Sequence, residues 1–116
     1  MNEAIAIEQN VVTELHEIMA SDLTLNRLTR CVKRGGKTLS LQAREFQLLE
    51  YLLLNKNKIV SREMLLLNVW HYNFDPQTNV VDVHISRLRA KVDKPFSIKL
   101  IETVRGSGYR LVDRDE

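Results

Sequence analysis

The chain has 116 residues, 44% apolar and 28% charged, with four Gly, two Pro and one Cys, which is the size of one globular domain and too short for a typical two-domain enzyme. Cys31 alone excludes an internal disulfide or a multi-cysteine metal site. No stretch approaches a membrane span or a secretion signal, so the expected location is the cytoplasm.

The net charge of +2 conceals an asymmetry. Residues 1–24 carry five acids (Glu3, Glu8, Glu14, Glu17 and Asp22) and neither Lys nor Arg, so all 17 bases of the chain follow them against the remaining ten acids. An acidic leader on a basic domain makes an anionic partner the first hypothesis, with a solubilising surface as its bland counterpart.

Residues 1–21 are read as a leader or interdomain linker, with an irregular amphipathic helix pattern through Ile5, Val12, Leu15 and Met19. From Asp22 the texture changes. Leu23-Thr24-Leu25, Thr29 to Lys33 and Thr38 to Leu41 alternate like half-buried strands, and Gly35-Gly36 fits a hairpin turn. An antiparallel N-terminal sheet is expected. Phe46, Leu49, Leu52 and Leu53 then share one side of a helix over about 43–55. Ser61 suits the next N-cap, flanked by Val60 and Leu65 as a hydrophobic staple, and opens a second helix over about 62–70. A loop follows, in which Pro76 disfavours helical geometry at Asp75.

A third helix, opening near Thr78 or Asn79, separates two faces. Val81, Ile85, Leu88 and Val92 form the core stripe. Asn79, Val83, Ser86, Arg87, Ala90 and Lys94 lie opposite, with Val80, His84 and Lys91 on one shoulder and Arg89 on the other. At about 15 residues this helix is roughly 22 Å long, and a B-DNA major groove admits it. Arg87 could donate a bidentate pair to guanine O6 and N7, and Val83 could meet a thymine methyl; an ordinary solvated face fits the same residues. Two β-prone runs over 98–112 surround Arg105-Gly106-Ser107-Gly108, a hairpin with Arg105 and Arg110 on it. A basic hairpin beside an arginine-bearing helix is a winged helix-turn-helix pattern, an α+β fold with a small N-terminal antiparallel sheet, three helices and a C-terminal β-hairpin wing.

Four blocks carry a family resemblance: Leu41-x-x-x-Glu45-Phe46-x-Leu48-Leu49; Val60-Ser61-Arg62-Glu63-x-Leu65-Leu66 with Val69-Trp70; Val81 to Arg89; and Thr103 to Tyr109. In order and spacing, over residues 22–112, the chain resembles the C-terminal DNA-binding (effector) domains of OmpR/PhoB-type two-component response regulators. Asn79 to Asp82 and Lys94-Pro95-Phe96 are most similar to the heavy-metal-responsive branch. The resemblance implies a recognition helix at about 79–93 in the major groove and a wing at about 98–112 whose Arg105 approaches the minor groove. It also implies head-to-tail pairs on direct-repeat duplex DNA.

Carried over by position, Asn79, Val80, Val83 and Arg87 would contact bases. Arg62, Trp70, His84, Ser86, Arg89, Lys94, Thr103, Arg105 and Tyr109 would contact the DNA backbone or minor groove, or support groups that do. The loop His71, Tyr72, Asn73, Phe74, Asp75, Pro76, Gln77 and Thr78 resembles the family's transactivation loop, which contacts RNA polymerase. Ser86 stands where many members have arginine. Gln42 stands where Thr or Ser often caps the first helix, a change of about 1 kcal/mol. A receiver domain and a sensor histidine kinase are implied for a longer protein, of which this chain is expected to be an excised C-terminal part, the alternative being a regulator without phosphorylation control, with 113–116 as tail.

Other residues read more plainly. Asp82 is taken as structural, meeting Arg89 across the helix flank. Trp70 adds aromatic area to the core, Cys31 is read as buried or inert, and Tyr72 and Phe74 fit a partner patch or loop anchors equally. His16, His71 and His84 match no metal-ligand spacing, and no cofactor is expected. Three function classes compete: sequence-specific binding of double-stranded DNA by a transcription regulator; a winged-helix protein-interaction module, to which Ser86 and the modest charge point; and an enzyme. The last has no nucleophile–base constellation, phosphate loop or metal cluster behind it.

Overall fold

The computed structural model describes residues 16–114. The leader positions Ile5, Val12 and Leu15 lie outside them. An antiparallel sheet of β1 (Glu17–Ala20), β2 (Leu23–Asn26), β3 (Val32–Arg34) and β4 (Lys37–Leu39) runs in sequential order. It begins inside the stretch read as leader: Met19 belongs to a strand and is exposed, while Ala20 is buried beside Leu23, its register partner. The acidic, short segment Glu17 to Ala20 carries little strand pattern of its own, and pairing with β2 defines it.

Leu23, Leu25 and Val32 point into the core from β2 and β3. Asn26 ends β2 by accepting the Leu28 and Thr29 amides, each at 2.9 Å. Arg30 then turns with φ 62, so β3 starts at Val32 and not at Thr29. Gly35 (φ 57) and Gly36 (φ 80) make the β3–β4 hairpin, with both residues in the left-handed region that a type I′ turn requires.

Three helices follow: α1 (Ala43–Leu54), α2 (Arg62–Asn68) and α3 (Val80–Val92). Gln42 is the N-cap of α1, and its backbone N–H donates to the carboxylate of Glu45, three residues on, at 2.9 Å. Ser61 caps α2 as expected, accepting the Met64 amide at 3.1 Å. The α2 helix stops at Asn68, before Trp70, and His71 takes φ 60 just beyond. The stripe Val81, Ile85, Leu88 and Val92 is buried as the periodicity requires, in one cluster with Phe46, Leu49, Leu52 and Leu65. Each such side chain contributes roughly 1.5–3 kcal/mol of hydrophobic stabilisation.

A hairpin of β5 (Ile101–Val104) and β6 (Gly108–Leu111) closes the fold, Thr103 opposite Tyr109 and Glu102 opposite Arg110. Val60 pairs with Tyr109, exchanging N–H···O bonds of 2.8 and 2.9 Å. Gly108 passes so close to this segment that a Cβ there would fall 2.1 Å from the Val60 carbonyl oxygen. Two residues read as tail are fixed as well: Asp113 accepts the Ser21 amide at 2.8 Å, and Arg114 donates to the Lys99 carbonyl at 2.7 Å.

One polar knot lies under this scaffold. Arg34 is 1% exposed and donates to Asp22 (3.0 Å), to Asp93 (2.9 Å) and to the Val92 and Ile98 carbonyls, with its guanidinium over the Phe96 ring. Asp93 in turn accepts the Leu100 and Ile101 amides at 3.0 and 2.9 Å. The C-terminal end of α3 is thereby tied both to the N-terminal sheet and to the start of the wing.

Candidate nucleic-acid interface

The face of α3 opposite the core stripe is free of packing. Asn79, Ser86, Arg87, Ala90 and Lys94 are exposed, Val83 is half-buried among them, and Val80 is half-buried on the shoulder. Arg87 and Lys94 form no ion pair among the described residues. Small side chains at 83, 86 and 90 leave Arg87 standing alone above a shallow surface, the shape a groove floor needs for close approach. At the wing tip Gly106 turns with φ 79 and the Ser107 amide bonds to the Val104 carbonyl at 2.9 Å, which leaves Arg105 exposed.

Not every cation near this face is free. Lys91 donates to the buried Glu45 carboxylate at 2.6 Å. Arg110, read as positive charge on the wing, donates through Nε to its cross-strand partner Glu102 at 2.7 Å. Arg62 pairs with Asp75 at 3.1 Å and donates to the Thr78 carbonyl, so it braces loop 71–78 against α2. Arg89 donates to Thr103 Oγ1 at 2.7 Å and lies over the Tyr109 ring, 5.5 Å from its centroid.

Asp82 does not meet Arg89. The two are seven residues apart on α3, roughly 10 Å along its axis, and Tyr109 fills the interval by donating its hydroxyl to the Asp82 carboxylate. Burial, then this hydrogen bond and the Asp82 charge, push the Tyr109 phenol up to about 12, so it stays a donor at any working pH. Glu45 shows the opposite balance. Its burial alone would raise the carboxyl, but hydrogen bonds from Lys91 and the Gln42 amide, with the Lys91 charge, hold it below the ordinary carboxylate value.

Trp70 is buried, in a T-shaped contact with His84 at 5.2 Å between ring centroids, and the Arg44 guanidinium lies over its ring. His84 Nδ1 lies 2.8 Å from the Val80 carbonyl oxygen; that oxygen can only accept, so Nδ1 carries the proton. In the loop, Tyr72 and Phe74 stack at 5.3 Å and line, with Leu66, Leu67 and Glu63, an apolar hollow of about 400 Å³. Phe74 is 61% exposed. The Gln77 N–H and then Arg62 hold the Asp75 carboxyl below its ordinary value.

Sequence reasoning placed the two faces of α3 correctly, yet missed Glu45 and Arg34. Glu45 sits in the first turn of α1, where a capping role was visible in principle. Arg34 lies two residues after the inward Val32, so strand alternation alone would have turned it inward.

The family described as "Transcriptional regulatory protein, C terminal" matches residues 36–111. The transcriptional regulatory protein PcoR of Escherichia coli is 45% identical over 96 residues, 83% of this chain and 42% of that protein. The chain thus spans about two-fifths of that relative's length. The DNA-binding domain of Klebsiella pneumoniae RstA, solved in complex with RstA box, superposes with TM-score 0.77 at 33% identity, covering 84% of this chain and 98% of that one. The DNA-binding domain of E. coli CpxR gives 0.73 at 34% identity, covering 84% and 96%. With a match over most of its length and the same winged architecture, this chain belongs to the C-terminal domains of transcriptional regulatory proteins, the effector domains of OmpR/PhoB-type response regulators.

Proposed function

We propose that this domain is the sequence-specific DNA-binding output of a two-component response regulator, with α3 in the major groove and the wing at the adjacent minor groove. The observation that carries this reading is Arg87, unpaired among the described residues and exposed on the face of α3 opposite the core stripe, with Arg105 exposed on the neighbouring hairpin. Arg87 would read a guanine and Val83 a thymine methyl, with Asn79 and Val80 completing base contact. Lys94 and Arg105 would supply charge to phosphates and the minor groove, and Ser86 and His84 would approach the backbone. Arg62, Trp70, Arg89, Thr103 and Tyr109 are held by protein partners, which supports a bracing role for them. Family membership places the domain among transcriptional regulators and not among enzymes.

The finer partners follow from the resemblance: RNA polymerase at the hollow of loop 71–78, a second copy head-to-tail on direct repeats, and a receiver domain with its sensor kinase in a longer protein. The segments 79–82 and 94–96 support the heavy-metal-responsive branch. The DNA-binding unit is taken as residues 22–112 with β1 and residues 113–114 added.

Selection of bound duplexes from a random pool at near-physiological salt tests this. A short motif repeated in one orientation at about 10–10.5 bp is expected. A single enriched half-site would remove the tandem arrangement. No enrichment from folded protein would overturn base readout and favour a protein-interaction module, for which the exposed Tyr72–Phe74 hollow is the supporting surface.

A further inference from the structure

The wing is gripped from two sides. Toward α2, its backbone pairs with Val60 and its glycine lies against the Val60–Ser61 segment. Toward α3 the grip is made by side chains alone. Thr103 and Tyr109 are cross-strand partners, so both side chains stand on one face of the hairpin. Asp82 and Arg89 lie two helical turns apart and meet them there, the carboxylate at the Tyr109 hydroxyl and the guanidinium at Thr103 and over the Tyr109 ring. The same three residues Asp82, Thr103 and Tyr109 line the grooves on both sides of the contact. The contact is a ridge joining the two DNA-facing elements.

An exposed carboxylate on a surface meant for phosphates is unfavourable by charge alone. Asp82 stands there, and its described side-chain partner is a wing residue. Building on the DNA reading above, we propose that Asp82 is a positioning residue: through Tyr109 it fixes the wing against the recognition helix, setting where Arg105 falls relative to Arg87 and hence which duplexes satisfy both arginines. Arg89 and Thr103 form the second half of the clasp. The clasp makes a prediction opposite in sign to simple electrostatics, since removing the negative charge should weaken specific binding.

The test uses the 116-residue chain, with fluorescence anisotropy on the selected duplex and on a scrambled duplex of equal length. Variants are Asp82→Ala, Tyr109→Phe, Arg105→Ala and their pairwise combinations, each checked by thermal melting to be folded at the titration temperature. Asp82→Ala and Tyr109→Phe should each weaken the selected duplex about five- to ten-fold, the scale of one ordinary hydrogen bond at the surface. The double variant should be no worse than either single one, and both losses should shrink below about two-fold in the Arg105→Ala background. On the scrambled duplex Asp82→Ala should bind as well as the parent or better. If Asp82→Ala tightens the selected duplex while Tyr109→Phe weakens it, Tyr109 is a direct phosphate donor and the proposal falls. Losses that persist undiminished without Arg105 overturn it too. An Arg105→Ala variant that binds the selected duplex like the parent fails the wing's role at the minor groove, and the clasp's function with it.

Discussion

Two polar joints hold α3, and they are built of similar chemistry in opposite surroundings. At its C-terminal end Arg34 and Asp93 are buried, 1% and 3% exposed, with their donors and acceptors met by other protein groups. At the DNA-facing flank Asp82, Arg89, Thr103 and Tyr109 make comparable bonds at the surface. A buried pair that loses one member leaves an uncompensated charge, whereas a surface pair loses little in stability because water replaces the partner. The first joint therefore fixes the fold, and the second affects chiefly how the binding elements are presented.

That contrast is broken most severely at Arg34. Arg34→Leu should lower unfolding free energy by about 3–5 kcal/mol in urea denaturation, because Asp93 stays buried without its cation; a loss below about 1 kcal/mol would mean that the two joints are energetically alike. On the surface side, Arg87→Ala should leave stability unchanged and cost about 1–3 kcal/mol on the best duplex with relaxed base preference. Equal loss on all sequences would contradict base readout.

Glu45 sharpens the comparison from between the two cases, being buried yet paired with the half-exposed Lys91. Its carboxyl is held below the ordinary value of 4.5, so the folded state binds a proton less readily than the unfolded chain. The stability it provides is present above that value and is lost as pH falls through the lower folded value. Glu45→Gln should cost about 1 kcal/mol at neutral pH and flatten the acid limb of a stability–pH curve; an unchanged limb would locate acid sensitivity elsewhere. The smallest effect is expected at Lys94. Lys94→Ala should weaken every duplex alike and reduce the slope of log affinity against log salt by about 0.9, as measured by titration at several salt concentrations.

How much of this was legible in the sequence depends on the range of the interactions. The stripe Val81, Ile85, Leu88 and Val92 repeats within one helix, and the Gly35-Gly36 turn is set by two residues' backbone freedom, so both could be read locally. The clasp joins positions 27 residues apart, and the Arg34–Asp93 bond joins positions 59 apart. No periodicity reports such pairs. Asp82 was assigned to the wrong partner because helix spacing was the only geometry available, and Tyr109 arrives from another element. At β1 the strand is specified by its neighbour, and the acidic composition of residues 1–24 masked it. The exposed face of Arg87 was visible as phase on a helix wheel. Which cations near that face are already neutralised was not, since Lys91, Arg110 and Arg62 are paired by Glu45, Glu102 and Asp75 through the tertiary fold.

The close passage of Gly108 across Val60 also sets a rule for rebuilding the hairpin. With φ 143 and no room for a Cβ, position 108 acts as a fixed seam, whereas Arg105, Gly106 and Ser107 project beyond it into solvent. A tip of different length or sequence can be grafted between 104 and 108 with the α2 contact intact, so the exposed end of the wing is exchangeable as a cassette while the seam glycine is retained.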